Sequence, residues 1–347
     1  MQSFNDSRFT IHDSRKKVAV IGTGAIGSLA LGYLKDKDEA VCGVIRPYQV
    51  EPFIREGLII EGVRGRKIIK DLSVATKLKQ EVDLAIFSTK TFDLEEAIRN
   101  NLDYLKGAYV LSTQNGVTAD HILEHYFDKE KIITGIVMFG ATFYPPNRVV
   151  HNFEGELILG NIFGQNLDNF KPIEEILAKA FEVNLTENIK GKKYLKLFLN
   201  LSNCIPACLG KSMQEVFCDI EICIVAIRLI KEAYQIATKS GINLESLPTY
   251  PKERIEGFVK MDEEKAAVLF SKIMTSLSKE PLYGSILQSI NRKKPSEIDF
   301  INGEIIRLAG VNNLEAALNT RIIELVHRVE ETRKFFTREE FMQCIGG

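Results

Sequence analysis

The stretch Val18-Ala19-Val20-Ile21, followed at once by Gly22-Thr23-Gly24-Ala25-Ile26-Gly27, constrains this chain more than any other. Four apolar residues suffice for a buried strand, and the run from Gly27 to about Lys35 has helical spacing. The G-x-G-x-x-G string therefore falls on a strand-to-helix turn. In that setting each glycine has its own task. Gly22 makes the turn, Gly24 leaves room for a pyrophosphate, and Gly27 lets the helix approach the sheet, while the helix start offers unpaired N–H groups to the anion. Elsewhere the same string would be only a tight turn; between a strand and a helix it favours a dinucleotide site.

The following segments extend the pattern. Ala40 to Ile45 reads as a second strand, Glu61 to Lys70 as a hairpin around Arg64-Gly65, Asp83 to Ser88 as a buried strand and Asp93 to Leu105 as a helix. Tyr109 to Ser112 is a strand, a helix begins near Thr118, and Lys131 to Phe139 is a further strand. Strand and helix units of this length imply a mainly parallel sheet covered by helices. Residues 148–160 read as exposed β structure, 168–180 as a helix and 181–187 as a terminal strand. Beyond Gly191 the periodicity is helical, with helices expected at 193–208, 215–240, 252–276, 282–291, 297–309 and 315–335.

At 347 residues the chain is long for a single core. The expected organisation is an extension over 1–16, a dinucleotide-binding domain over 17–189, a helical substrate and catalytic domain over 190–332, and a polar tail over 333–347 that covers an interface or stays mobile. The 45 Lys and Arg against 46 Asp and Glu give no bulk attraction to nucleic acid or to an anionic membrane. The clusters Lys190, Lys192, Lys193 and Arg292, Lys293, Lys294 read as solvated surface. The six cysteines lack C-x-x-C pairing, which suits reduced thiols and no metal, and no apolar run is long enough for a signal core or a membrane span. A soluble, cytoplasmic protein is expected.

Arg46, at the end of the second strand, stands where an NAD site commonly carries an acid for the ribose diol. Its guanidinium could instead pair with a 2'-phosphate, favouring NADPH, or it could be a surface residue ahead of Pro47. Lys90 and Asn115-Gly116 follow two further strands and so could face one crevice; a solvent lysine and an ordinary turn are the alternatives. On the apolar segment Tyr194 to Ile205, Lys196, Asn200 and Asn203 fall on one narrow face at about 100° per residue. Such groups need partners, either in a structural network or on a substrate, and Lys196 could protonate a developing alkoxide while Asn200 orients the carbonyl compound. Ser296 and Asp299 have the spacing of a helix N-cap and its N3 acceptor, and Glu297 could serve the helix start or a substrate hydroxyl.

Together these residues resemble the ketopantoate reductase family, over about residues 17 to 332. Its glycine motif matches Gly22, Gly24, Ala25 and Gly27, its nucleotide-discriminating arginine matches Arg46, and its lysine and N-G pair match Lys90 and Asn115-Gly116. Its K-x-x-x-N matches Lys196 and Asn200, and its S/T-E-I-D-x-x-N-G matches Ser296 to Asp299 with Asn302-Gly303. The resemblance implies an α/β, Rossmann-type N-terminal domain followed by an all-helical domain like that of 6-phosphogluconate dehydrogenases, often as a homodimer. It implies NADPH/NADP+ as cofactor, held by Gly22 to Gly27, Arg46, Lys90, Asn115 and Ala141, and reduction of 2-dehydropantoate (ketopantoate) to pantoate in pantothenate synthesis.

By the same resemblance Lys196 is the general acid, Glu297 fixes the substrate hydroxyl and the lysine, and Asn115, Asn200 and Ser285 are substrate contacts. One position departs from the pattern. Where the family carries a second asparagine, eight residues after Lys196, this chain has Cys204, with Asn203 one place earlier and about 100° round a regular helix. Both are candidate substrate contacts, and the departure leaves room for another small or larger 2-keto acid. A non-catalytic NADPH sensor is the reading from outside enzymology.

Overall fold

The computed structural model describes residues 15–164 and 167–346. The extension expected over 1–16 lies outside the described residues apart from Arg15 and Lys16. The chain divides into two compact units. One runs to Gln114 and resumes from Ala119 to Ile189; the other takes Asn115–Thr118 and the chain from Lys190 onward.

The first unit contains, in chain order, β1 (Val18–Ile21), α1 (Ala25–Asp36), β2 (Val41–Val44), α2 (Pro47–Arg55), β3 (Leu58–Gly62), β4 (Lys67–Ile69), β5 (Ser73–Ala75), β6 (Leu84–Phe87) and α3 (Thr91–Asn101). It continues with β7 (Tyr109–Ser112), α4 (Thr118–Leu123), β8 (Ile132–Val137), β9 (Gly140–Tyr144), β10 (Arg148–Phe153), β11 (Leu157–Gly160), α5 (Lys171–Ala178) and β12 (Val183–Leu185). Eight strands form one sheet in the order β12-β11-β8-β7-β6-β1-β2-β5. β1, β6 and β8 are buried along their whole length, which is why they read as unbroken apolar runs rather than alternating ones. All neighbours in the sheet are parallel except β8 and β11, which pair antiparallel with Leu157 opposite Val137.

A second sheet, in the order β4-β3-β10-β9, is absent from the expectations above. The hairpin around Arg64-Gly65 supplies β3 and β4, and β10 lies parallel to β3 and antiparallel to β9. The single exposed β segment expected over 148–160 is two strands in two sheets. β10 has buried alternate positions, Val149 and His151, whereas β11 is wholly buried.

The second unit is helical: α6 (Ile189–Leu201, whose first residue belongs to the other unit), α7 (Cys204–Leu209), α8 (Met213–Phe217), α9 (Ile220–Lys239), α10 (Glu253–Lys260), α11 (Glu263–Ser276), α12 (Ser285–Asn291), α13 (Ile298–Val311), α14 (Ala317–Thr332) and α15 (Arg338–Gly346). Three helices that the periodicity joins are interrupted. Asp219 and Asp262 each take two backbone N–H groups at the starts of α9 and α11, and such caps begin new helices where hydrophobic spacing alone runs on. The third interruption, at Ser202-Asn203, lies inside the candidate site. α15 packs through fully buried Phe341, with Arg338 bonded to Asp219 and Glu221 and the Phe336 N–H donating to the Cys208 carbonyl at 3.0 Å. Among the described residues no helix is long and apolar enough to cross a membrane, and no group of three or more His, Cys, Asp or Glu could hold a metal ion.

Candidate active site

In the first unit the site begins where β1 lies between β2 and β6, the point at which strand order reverses and open α/β sheets bind ligands at their carboxyl ends. Gly22 follows β1 with φ +93°, and a Cβ there would stand 2.7 Å from the Thr89 nitrogen beyond β6. A Cβ on Gly27 would stand 1.9 Å from the Gly22 carbonyl oxygen, so only glycine lets α1 begin this close to the turn. Gly24 is the opposite case. It is exposed, and a Cβ would meet nothing within 4 Å. α1 starts directly after it with no side-chain cap and no acid in its first turn, leaving its N–H groups to an outside acceptor. Crowded glycines beneath and an open one above an uncapped helix start fit a dinucleotide pyrophosphate.

Arg46 is exposed and its guanidinium pairs with Asp93 on α3 at 3.2 Å. Buried Gln49 ties this residue to the glycine turn. Its Oε1 accepts from the Thr23 hydroxyl and the Arg46 N–H, each at 3.1 Å, and its Nε2 donates to the Thr23 carbonyl. Sequence reasoning missed both partners; Gln three places after Arg46, beyond a proline at the first helical position, was a readable helix-start signal. Lys90 is exposed at the start of α3. The ends of β6 and β7 are joined by the Thr113 hydroxyl donating to the Phe87 carbonyl and by Gln114 Nε2 donating to the Thr89 carbonyl. Ala141 is half-buried on β9 in the smaller sheet, opposite His151.

In the second unit, half-buried Lys196 and Asn200 are on α6, with buried Asn203 just beyond it. Asn200 Nδ2 donates to the Lys196 carbonyl, and Asn203 Nδ2 donates to Asn200 Oδ1, both at 3.2 Å. Burial, and then the like charge of Lys193, bring the Lys196 ammonium down to about 8. Asn203 also touches the start of α12: a Cβ on Gly284 would lie 3.2 Å from its Cβ, and exposed Ser285 follows at once. The Asn200 and Asn203 amides thus lie together, tied to the Lys196 backbone on one side and packed against Gly284 on the other. Cys204 is fully buried, its Sγ 2.9 Å from the Leu201 carbonyl, and burial pushes its thiol up to about 12.

α13 is tied to α6 by the Tyr194 hydroxyl, which donates to Glu304, and by Asn302 Nδ2, which donates to the Leu201 carbonyl. Buried Glu297 immediately precedes α13. The half-buried Asn115 lies in the segment grouped with this unit, beside Gly116. A Cβ on Gly116 would come 2.5 Å from the Phe300 carbonyl in the first turn of α13.

Two local expectations change. Glu297, not Ser296, occupies the cap position of α13, and Asp299 bonds His327 rather than reaching back to the helix start. Of the first lysine cluster only Lys190 is exposed; Lys193 is 2 % exposed, and Lys192 bonds the Ser246 carbonyl and Glu245. Charge density along the sequence gave no sign of that burial.

Residues 18–164 match the family described as Ketopantoate reductase PanE/ApbA, and residues 188–330 match its C-terminal counterpart. The chain belongs to the ketopantoate reductase family. A relative from Pyrococcus horikoshii, 2-dehydropantoate 2-reductase, is 30% identical over 90% of this chain and 97% of its own length. The protein of that name from Archaeoglobus fulgidus is 24% identical over 91% and 98%. Among solved structures, the PanE/ApbA family ketopantoate reductase of Ralstonia eutropha JMP134 has a TM-score of 0.76 at 25% identity, covering 91% of this chain and 99% of that one. A ternary D-mandelate dehydrogenase structure shares the fold, with a TM-score of 0.77 at 22% identity over 91% and 99%. As in that family, a Rossmann-type domain of the kind that binds a nicotinamide dinucleotide precedes a helical domain, and the chain has the fold of an oxidoreductase.

Proposed function

We propose that this protein reduces 2-dehydropantoate to pantoate with NADPH, and that Lys196 is its proton donor. The observation that carries the reading is the polar stripe of Lys196, Asn200 and Asn203 on the apolar segment from Tyr194 to Ile205, with Gly284 against Asn203 and burial bringing the lysine down to about 8. Bound NADPH supplies the hydride for the keto carbon. Lys196 gives its proton to the oxygen that becomes the hydroxyl, so the ketone gains one hydride and one proton and leaves as the 2-hydroxy acid. Asn200 and Asn203 donate amide hydrogens to substrate oxygens, Ser285 hydrogen-bonds the carboxylate, and the Glu297 carboxylate accepts from a substrate hydroxyl. Arg46 pairs with the 2'-phosphate, which supports NADPH over NADH.

The test is NADPH consumption, followed by absorbance, with 2-dehydropantoate beside other 2-keto acids, repeated with NADH. Turnover of 2-dehydropantoate with NADPH preferred, and its loss in Lys196→Ala with dinucleotide binding intact, is expected. Turnover of other 2-keto acids only would reject the substrate, equal efficiency with NADH would reject the Arg46 role, and an active Lys196→Ala would reject the proton donor.

A further inference from the structure

In an uninterrupted helix the Leu201 carbonyl would accept from the Ile205 N–H four residues on. Here the Asn203 N–H donates to the Asn200 carbonyl and the Ile205 N–H to the Ser202 carbonyl, both at 3.1 Å. The chain tightens to three residues per turn, so about 120° per residue replaces about 100°. Three such steps close a full circle and set Asn203 directly over Asn200, where the two amides bond. One further step turns Cys204 inward.

The tightening leaves the Leu201 carbonyl outside the helical ladder, and Asn302 takes it. Nδ2 of this wholly buried residue donates to that oxygen at 3.2 Å and to Asn319 Oδ1 at 3.0 Å, and lies 3.8 Å from Cys204 Sγ. The direction of the amides is fixed from the far end. Glu232 accepts the Leu318 and Asn319 N–H groups at the start of α14 and also Asn319 Nδ2, at 2.8–2.9 Å. A carboxylate can only accept, so Asn319 must turn its Nδ2 to Glu232 and its Oδ1 to Asn302, and Asn302 must answer with Nδ2. Its own Oδ1 is left buried without a hydrogen-bond partner, as expected if the amide is oriented for donation alone.

We infer that Asn302, oriented by Glu232 through Asn319, is a positioning residue that fixes the geometry of the break which Pro206 begins at Ser202-Asn203, and so sets the amide of Asn203, in place of residue 204, in the stripe with Lys196 and Asn200. This rests on the reading that the stripe binds a 2-keto acid. Asn203 is then the specificity-determining amide of this chain, and the break compensates for the cysteine that follows it.

The experiment compares Asn203→Ala, Asn203→Ala/Cys204→Asn, Asn302→Asp and Asn203→Ala/Asn302→Asp for kcat, for KM of the 2-keto acid and for NADPH affinity. Amide hydrogen exchange over residues 198–208 is measured in parallel. Asn203→Ala should raise KM about tenfold, the loss of roughly one hydrogen bond to a substrate oxygen, with kcat and NADPH affinity near wild type. Adding Cys204→Asn should not restore it. Asn302→Asp should raise KM similarly and speed exchange around the break, and combined with Asn203→Ala it should add little, because both act through one amide. Glu232→Gln, a milder change, should also raise KM and serves if Asn302→Asp does not fold.

An unchanged KM in Asn203→Ala, its recovery in Asn203→Ala/Cys204→Asn, or additive effects in Asn203→Ala/Asn302→Asp would overturn the inference, as would unchanged KM and exchange in the Asn302 or Glu232 variants. If the wild-type protein turns over no 2-keto acid, the proposed function fails by itself, and the exchange comparison still judges whether Asn302 holds the break.

Discussion

If Lys196 delivers the proton, the pH profile of turnover should carry its signature. The ammonium is brought to about 8 by burial and then by the neighbouring Lys193 charge, so roughly nine-tenths of the enzyme is in the proton-donating form at pH 7 and roughly a tenth at pH 9. A folded-state value below that of free lysine means that the competent form is complete at low pH and is lost as pH rises through about 8. kcat at saturating NADPH and 2-keto acid should therefore fall about tenfold between pH 7 and 9, whereas a lysine at its ordinary value would leave the profile flat over that range. Removing the second cause supplies the control. Lys193→Gln should move the falling limb to higher pH without abolishing turnover, read from initial rates in buffers of constant ionic strength. A flat profile to pH 9, or a limb unmoved by Lys193→Gln, would refute the electrostatic account of Lys196.

Other expectations follow from the same geometry. Gly24→Ala should melt at the wild-type temperature yet bind NADPH at least tenfold more weakly, since its Cβ meets nothing in the protein and would stand in the phosphate space; Gly27→Ala should lower the melting temperature, because its Cβ is 1.9 Å from the Gly22 oxygen. Equal melting of the two variants would count against this division. Arg46→Ala should abolish the preference for NADPH over NADH, and Asp93→Asn, which releases Arg46 from an exposed ion pair, should lower KM for NADPH a few-fold with NADH unaffected. Phe341→Ala should cost about 3–5 kcal/mol in urea unfolding of the helical unit, the usual range for a fully buried phenylalanine; a loss below about 1 kcal/mol would show that α15 is not part of that core.

Where local spacing and local chemistry coincide, the sequence was sufficient. The glycine turn, the alternation of strands and helices to Phe139 and the helical second half are each marked by hydrophobic spacing within short segments, and the structure has them. The four-stranded sheet was not legible because its pairs are remote: β10 joins β3 across nearly ninety residues, with His151 opposite Gly62, and no periodicity records such a partner. Helix interruptions escaped for another reason. Leu201, Cys204 and Ile205 continue the apolar spacing through the break, where Pro206 has no N–H for the Ser202 carbonyl, and the Leu201 carbonyl is taken up by an amide on α13 about a hundred residues away. Likewise Lys193 is one of three closely spaced lysines in the sequence, and only the packed unit distinguishes it from exposed Lys190. Asn203 was marked by its spacing from Lys196, yet its bond to Asn200 depends on backbone tightening that spacing does not predict.

The grouping of residues 115–118 with the helical unit has a consequence for recombination between relatives. The polypeptide changes units three times, after Gln114, after Thr118 and after Ile189. A chimera spliced only at the last of these crossings would join a Gly116 turn from one parent to a Phe300 carbonyl from the other, where a Cβ has just 2.5 Å. Exchanging the short insert together with the helical unit keeps both sides of that fit from the same ancestor.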